Sequence, residues 1–96
     1  MTRRDKGVFR ILSKKYAYNM LKKMEEGPKR FKEFSDVCRI EKMRSQRLKE
    51  FEKLNLIKVN IKREGRRVFP VYELSDTGKK TLKLAEDIMK LYKVKK

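Results

Sequence analysis

The strongest constraint on the fold is a change of rhythm along the chain. Up to Leu54 the apolar residues recur three and four apart, as buried helix faces require. From Ile57 to Leu74 they alternate with polar residues, as half-buried strands do, and after Ser75 the helical spacing returns. A hairpin set between helices restricts the chain to a mostly helical α+β arrangement.

The helical part divides into three. Leu12, Tyr16, Ala17, Met20, Leu21 and Met24 predict a first helix over Val8 to Glu26, closed by Gly27-Pro28. Phe31, Phe34 and Val37 predict a second helix of about two turns. Ile40, Met43, Phe51 and Leu54 predict a third with Leu48 at its margin, ended by Asn55 in a left-handed conformation with Leu56 folding back. Ile57, Val59 and Ile61 then form one strand and Val68, Tyr72 and Leu74 share a face of the next. Gly65 makes the turn, and Pro70 requires an open edge at its position. Ser75 caps the last helix, with Asp76 suited to its dipole. The apolar residues of that helix spread over half its circumference, more than one core contact needs, which implies a second contact surface.

The order helix, short helix, helix, hairpin, helix is that of a winged helix-turn-helix: α+β, mostly α, with a two-stranded β wing. Residues 1–96 make one such domain with one small core, and the basic ends 1–7 and 93–96 are expected to fray.

The residues also carry a resemblance. "ILSKKYAYNMLKKMEEGPKRFKEF" resembles the opening of the HxlR-type winged-helix regulators, relatives of the MarR and ArsR groups. "QRLKEFEKLNLI" and "VYELSDTGKK" resemble two later segments of the same family. Together they cover roughly Ile11 to Lys80. The chain departs from the family pattern in a shorter connection around Cys38, Arg44 in place of leucine, Asn55 in place of glycine, and "KREGRRVFP" at the wing. The resemblance implies a homodimeric transcription regulator on a palindromic DNA site, dimerised through its terminal helices. The dimer contact then falls on Leu84, Ile88, Met89, Leu91 and Tyr92 of the last helix.

Composition narrows the partner independently. Lys and Arg total 29 against 13 Asp and Glu, a net +16 that repels itself in the folded chain and favours a polyanion. No run approaches the roughly 18 apolar residues of a spanning helix, so double-stranded DNA is preferred to a membrane and a cytoplasmic, nucleoid-associated location is expected. There is no histidine and only Cys38, which leaves little for metal or acid-base chemistry; no enzyme, metal or cofactor is expected. Cys38 reads as a small buried residue, with a redox role the alternative. The sequence specifies no small-molecule effector. Charged residues at 44% and a single glutamine fit a source in a hot habitat.

Contact residues follow from the fold. Lys42, Ser45, Gln46 and Lys49 lie opposite the apolar side of the third helix, where Ser and Gln suit base edges and lysines suit phosphates; the alternative is a solvated face. Arg44 and Arg47 join the set although they fall on the apolar side, since a long stem can cross the core edge to a phosphate. Lys62, Arg63, Arg66 and Arg67 make the wing basic, with arginine suited to phosphate forks and narrow minor grooves; the alternative is a charged tip that blocks edge pairing. Lys29, Arg30 and Lys32, at the start of the second helix, are expected on the DNA backbone. Phe69 is the one aromatic suited to stacking on an exposed strand. The same charge would also serve a chromosome-coating or RNA-associated protein that reads no sequence, and that reading stays open.

Overall fold

The computed structural model describes residues 3–92. Helix α1 covers Arg3–Leu12 and α2 covers Ala17–Met24, followed by strand β1 at Lys29–Arg30 and a 3-10 helix at Phe31–Asp36. Helix α3 covers Glu41–Lys53, β2 Ile57–Glu64, β3 Arg67–Leu74 and α4 Asp76–Leu91. Mostly helical, with one small antiparallel sheet, this is the winged helix-turn-helix that the apolar rhythm predicts.

The first predicted helix is two. The chain breaks at Ser13 to Tyr16, and Tyr16 takes a left-handed φ of 72°. Such a conformation costs a bulky residue on the order of 1–3 kcal/mol, so something elsewhere must hold it. Arg47 of α3 does: its Nε donates at 3.0 Å to the Lys15 carbonyl, which the break has freed. The apolar spacing runs through unbroken because Ala17, Met20, Leu21 and Met24 are buried in α2 while Leu12 and Tyr16 flank the same core. Residues 3–7, expected to fray, form the start of α1; residues 1–2 and 93–96 lie outside the described residues.

The sheet has three strands in the order β1-β3-β2, one more than expected. Lys29 and Arg30 extend along Tyr72 and Val71 instead of opening a helix. Pairing with β1 stops at Val71, so Pro70 faces an open edge, as a residue without an N–H requires. The second predicted helix is a 3-10 helix with Phe34 buried against Tyr72, ring centroids 6.2 Å apart.

Helix α3 buries Arg44, Arg47, Leu48 and Phe51, whereas Ile40, expected on the apolar side, is 51% exposed just before its start. Asn55 is left-handed at φ 60°, and the Leu56 amide returns to the Phe51 carbonyl at 2.9 Å, the closure expected there. Ser75 caps α4 by accepting from the Gly78 amide at 2.9 Å. The core gathers Met20, Leu21, Phe34, Phe51, Leu56 and Leu82 where the helices and the base of the sheet meet.

Candidate nucleic-acid interface

Lys42, Gln46 and Lys49 are exposed on α3 and Ser45 is half-buried. Steps of three and four place them in one stripe, with Lys53 continuing it. The opposite side is held inward by Leu48 and Phe51. The stripe therefore presents three ammonium groups and two neutral hydrogen-bonding side chains on a helix fixed from behind.

Arg44 and Arg47 depart from the expectation that counted them among the contacts. Each is only 4% exposed. Arg44 donates to the carbonyls of Cys38 at 3.0 Å and of Phe31 and Arg39 at 3.4 Å, with its guanidinium 4.8 Å from the Phe31 ring centroid. Arg47 joins the Lys15 carbonyl to the Glu50 carboxylate at 2.9 Å. Glu50 in turn accepts from Lys14 at 2.6 Å. Burial works to raise its pKa, but the hydrogen bonds from Lys14 and Arg47 outweigh it and hold the carboxyl below its ordinary value. Both arginines brace α3 from beneath. The sequence signal was their position on the apolar side of the helix.

The wing is the distal part of the β2–β3 hairpin. Glu64 pairs with Arg67 across the two-residue loop Gly65-Arg66, and only Gly65 has a positive φ, 63°, as a type II′ turn demands. Residues 61–68 are all exposed, including Lys62, Arg63, Arg66 and Arg67. None of these four, nor Lys42 or Lys49, forms an ion pair among the described residues, whereas Lys14, Lys22, Lys23, Lys29 and Arg47 all do.

Of the three cations expected at the second helix, Lys29 pairs with Glu26 at 3.1 Å and Lys32 is exposed on the 3-10 helix. The Arg30 guanidinium lies over the Phe69 ring, 4.0 Å from its centroid. Phe69 is thus half-buried under an arginine and is not an open stacking platform. Cys38 is buried, its thiol donating to the Ile40 carbonyl at 3.6 Å, in keeping with the small-core reading.

A second surface lies between α1 and α4. Leu84, Ile88, Met89, Leu91 and Tyr92 are exposed. Leu84, Ile88 and Met89 line an apolar cleft of about 590 Å³ together with Val8, Phe9 and Leu12. Sequence reasoning named dimer-contact residues on the last helix alone, and Val8 and Phe9 of α1 were not singled out. Beside the cleft, Glu86 accepts from Tyr18 at 3.0 Å and Lys22 at 2.5 Å, fastening α2 to α4. Lys22 and Tyr18 lower the Glu86 pKa; burial, then Glu86 itself, raises that of Tyr18. Among the described residues no group of three His, Cys, Asp or Glu side chains is placed to hold a metal, and no helix is long and apolar enough to cross a membrane.

A family model described as HxlR-like helix-turn-helix matches residues 11–95. The fold is similar to that of diamide-treated YodB from B. subtilis, at 25% identity and TM-score 0.80, over 93% of this chain and 89% of that one; YodB in its reduced form is described as a transcriptional regulator. The redox regulator HypR in its reduced form superposes with TM-score 0.69 at 21% identity, over 82% and 83% of the two chains. A MarR-family regulator from Enterococcus faecalis V583 gives 0.76 at 19% identity, over 95% and 86%. The last two likenesses establish the fold alone. No curated protein sequence matches the chain.

Proposed function

Because this chain belongs to the HxlR-like helix-turn-helix family, whose members are DNA-binding transcription regulators, we propose that it binds double-stranded DNA sequence-selectively, as a homodimer, within the cytoplasm. The whole chain acts as one winged-helix domain. Helix α3 enters the major groove, where Ser45 and Gln46 meet base edges and Lys42 and Lys49 meet flanking phosphates. Lys62, Arg63, Arg66 and Arg67 of the wing lie on the adjoining backbone or minor groove. Lys32 and Arg30 reach the backbone between the two elements.

The observation that carries this reading is the division among the cations. The exposed ones on α3 and the wing have no carboxylate partner among the described residues, whereas those that brace the scaffold are held by carboxylates, as Lys14, Lys29 and Arg47 are, or by backbone carbonyls, as Arg44 is. Self-repulsion of +16 is relieved when phosphates replace the missing counterions. For the homodimer, the support is the apolar cleft between α1 and α4 with Leu84 and Phe9 at 62% and 69% exposure. Such a continuous apolar surface is costly to leave in water.

Selection of bound duplexes from a random pool tests the function. A two-fold symmetric consensus with half-sites about one helical turn apart is expected of a dimer. Recovery of tightly bound DNA with no consensus would instead support a chromosome-coating role, which the same net charge also suits.

A further inference from the structure

Among the described residues two arginines lie against phenylalanine rings, and they differ in what else they touch. Arg44, over Phe31, is 4% exposed and spends its N–H groups on three backbone carbonyls. Arg30, over Phe69, is half-exposed. Among the described residues its guanidinium donates to no carbonyl and pairs with no carboxylate; its backbone amide alone is engaged, by Glu33 at 2.8 Å. The first arrangement holds the chain together. The second holds a cation in place and leaves its hydrogen-bonding edge unused.

Strand register explains how the stack forms. Arg30 lies opposite Val71 on β3, and Phe69 is two residues further toward the wing tip on the same sheet face. That diagonal spacing is within reach of a long side chain. Across the other edge of β3, Lys62 faces Phe69 and Glu64 faces Arg67. One sheet face thus presents Arg30 at its base, Lys62 beside the ring and Arg67 at the tip.

We propose that Phe69 is a positioning residue for DNA binding, whose ring holds the Arg30 guanidinium flat at the base of the wing with its N–H edge free for a backbone phosphate. This rests on the DNA-binding reading above and deepens it. A guanidinium offers its paired donors in its own plane, so a ring stacked on its face fixes the group without competing for the phosphate. A free arginine gives up rotamer entropy when it binds, whereas one already stacked has surrendered most of it. Because Arg30 adjoins Phe31, on which Arg44 of α3 is packed, the same dipeptide links the wing to α3 and sets the phosphate site between them.

The test is binding to a random-sequence duplex of about 25 base pairs, measured against salt, with thermal melts confirming that each variant is folded. Phe69→Leu is expected to weaken binding about three- to fivefold and leave the salt slope unchanged, and Phe69→Tyr to bind as the parent does. Arg30→Ala lowers the slope by about 0.9 for each phosphate it no longer neutralises, and adding Phe69→Leu to it costs nothing more. Arg30→Lys, which keeps the charge but not the planar stack, behaves like Phe69→Leu and carries the test if the leucine variant does not fold. The proposal is overturned if Phe69→Leu costs the same with and without Arg30, or if Arg30→Lys binds like the parent. Parent protein whose affinity ignores salt would instead overturn the DNA-binding reading itself.

Discussion

A methyl group on Gly78 would lie 1.9 Å from the carbonyl oxygen of Leu56, so α4 can begin where it does only because position 78 has no side chain. The Leu56 carbonyl also accepts the Ser75 amide at 3.0 Å, and the Ser75 hydroxyl donates to the Asn55 carbonyl at 2.5 Å while capping Gly78. The end of α3, the base of the hairpin and the start of α4 meet in this one joint. Backbone cannot yield as a flexible side chain would, and Gly78→Ala is expected to destabilise the fold by about 2–3 kcal/mol, read from the midpoint of denaturant unfolding.

The buried and exposed cations of α3 should separate in two measurements. Arg44→Ala strands the carbonyls of Phe31, Cys38 and Arg39, and is expected to cost about 2–3 kcal/mol of stability. Lys42→Ala and Lys49→Ala, on the exposed face, should leave the melting temperature nearly unchanged and weaken DNA binding. Loss of stability from the lysine variants comparable to that from Arg44→Ala would refute the division.

Acid should loosen the packing of α3 against the α1–α2 turn. The Glu50 pKa is lowered in the fold, so its contribution is fully present above the unperturbed value of 4.5 and is lost as pH falls through the folded value. Glu86 and Asp36 shift in the same direction, through Lys22 with Tyr18 and through Lys23 respectively. The melting temperature is expected to drop as pH falls below about 4.5, with a shallower drop in Glu50→Gln. That variant starts lower at neutral pH because Arg47 and Lys14 lose their counterion.

Wing and α3 should differ in what they change. Arg66→Ala with Arg67→Ala is expected to weaken binding to all duplexes and flatten the salt dependence, while Gln46→Ala mainly relaxes preference among sequences. Titrations on a selected and a random duplex at two salt concentrations give both quantities. Equal losses on both duplexes from both changes would favour binding without base readout.

Ile88→Glu or Met89→Glu places a charge in the apolar cleft beside α1 and is expected to yield monomers by sedimentation at concentrations where the parent chain forms the proposed dimer. A dimer that survives both changes would remove this cleft from the interface.

Much of this was legible in the sequence, because hairpin register and helix capping are local. Alternation from Ile57 to Leu74 with Gly65 at its centre leaves one register that buries Ile57 and Leu74 together. Ser75, Asn55 and Pro70 act within a few residues of themselves, through a hydroxyl, a left-handed backbone and a missing N–H. The exposed stripe of α3 and the basic wing tip follow from the same periodicities.

Other features needed partners distant in the chain. Ser13 to Tyr16 contains no glycine or proline to break a helix; the Lys15 carbonyl that the break leaves open is taken by Arg47, 32 residues on. Lys29 and Arg30 become a strand only because β3 arrives beside them, and Phe69 lies under Arg30 for the same reason. Arg44 stands where a leucine pattern would fit because the carbonyls of Phe31, Cys38 and Arg39 converge on its guanidinium. Residue type and spacing settled which faces are apolar and where the turns fall. Only the packed fold decided which charges are braces and which remain open to a polyanion, since that depends on whether a carbonyl or carboxylate from elsewhere in the chain lies within hydrogen-bonding distance.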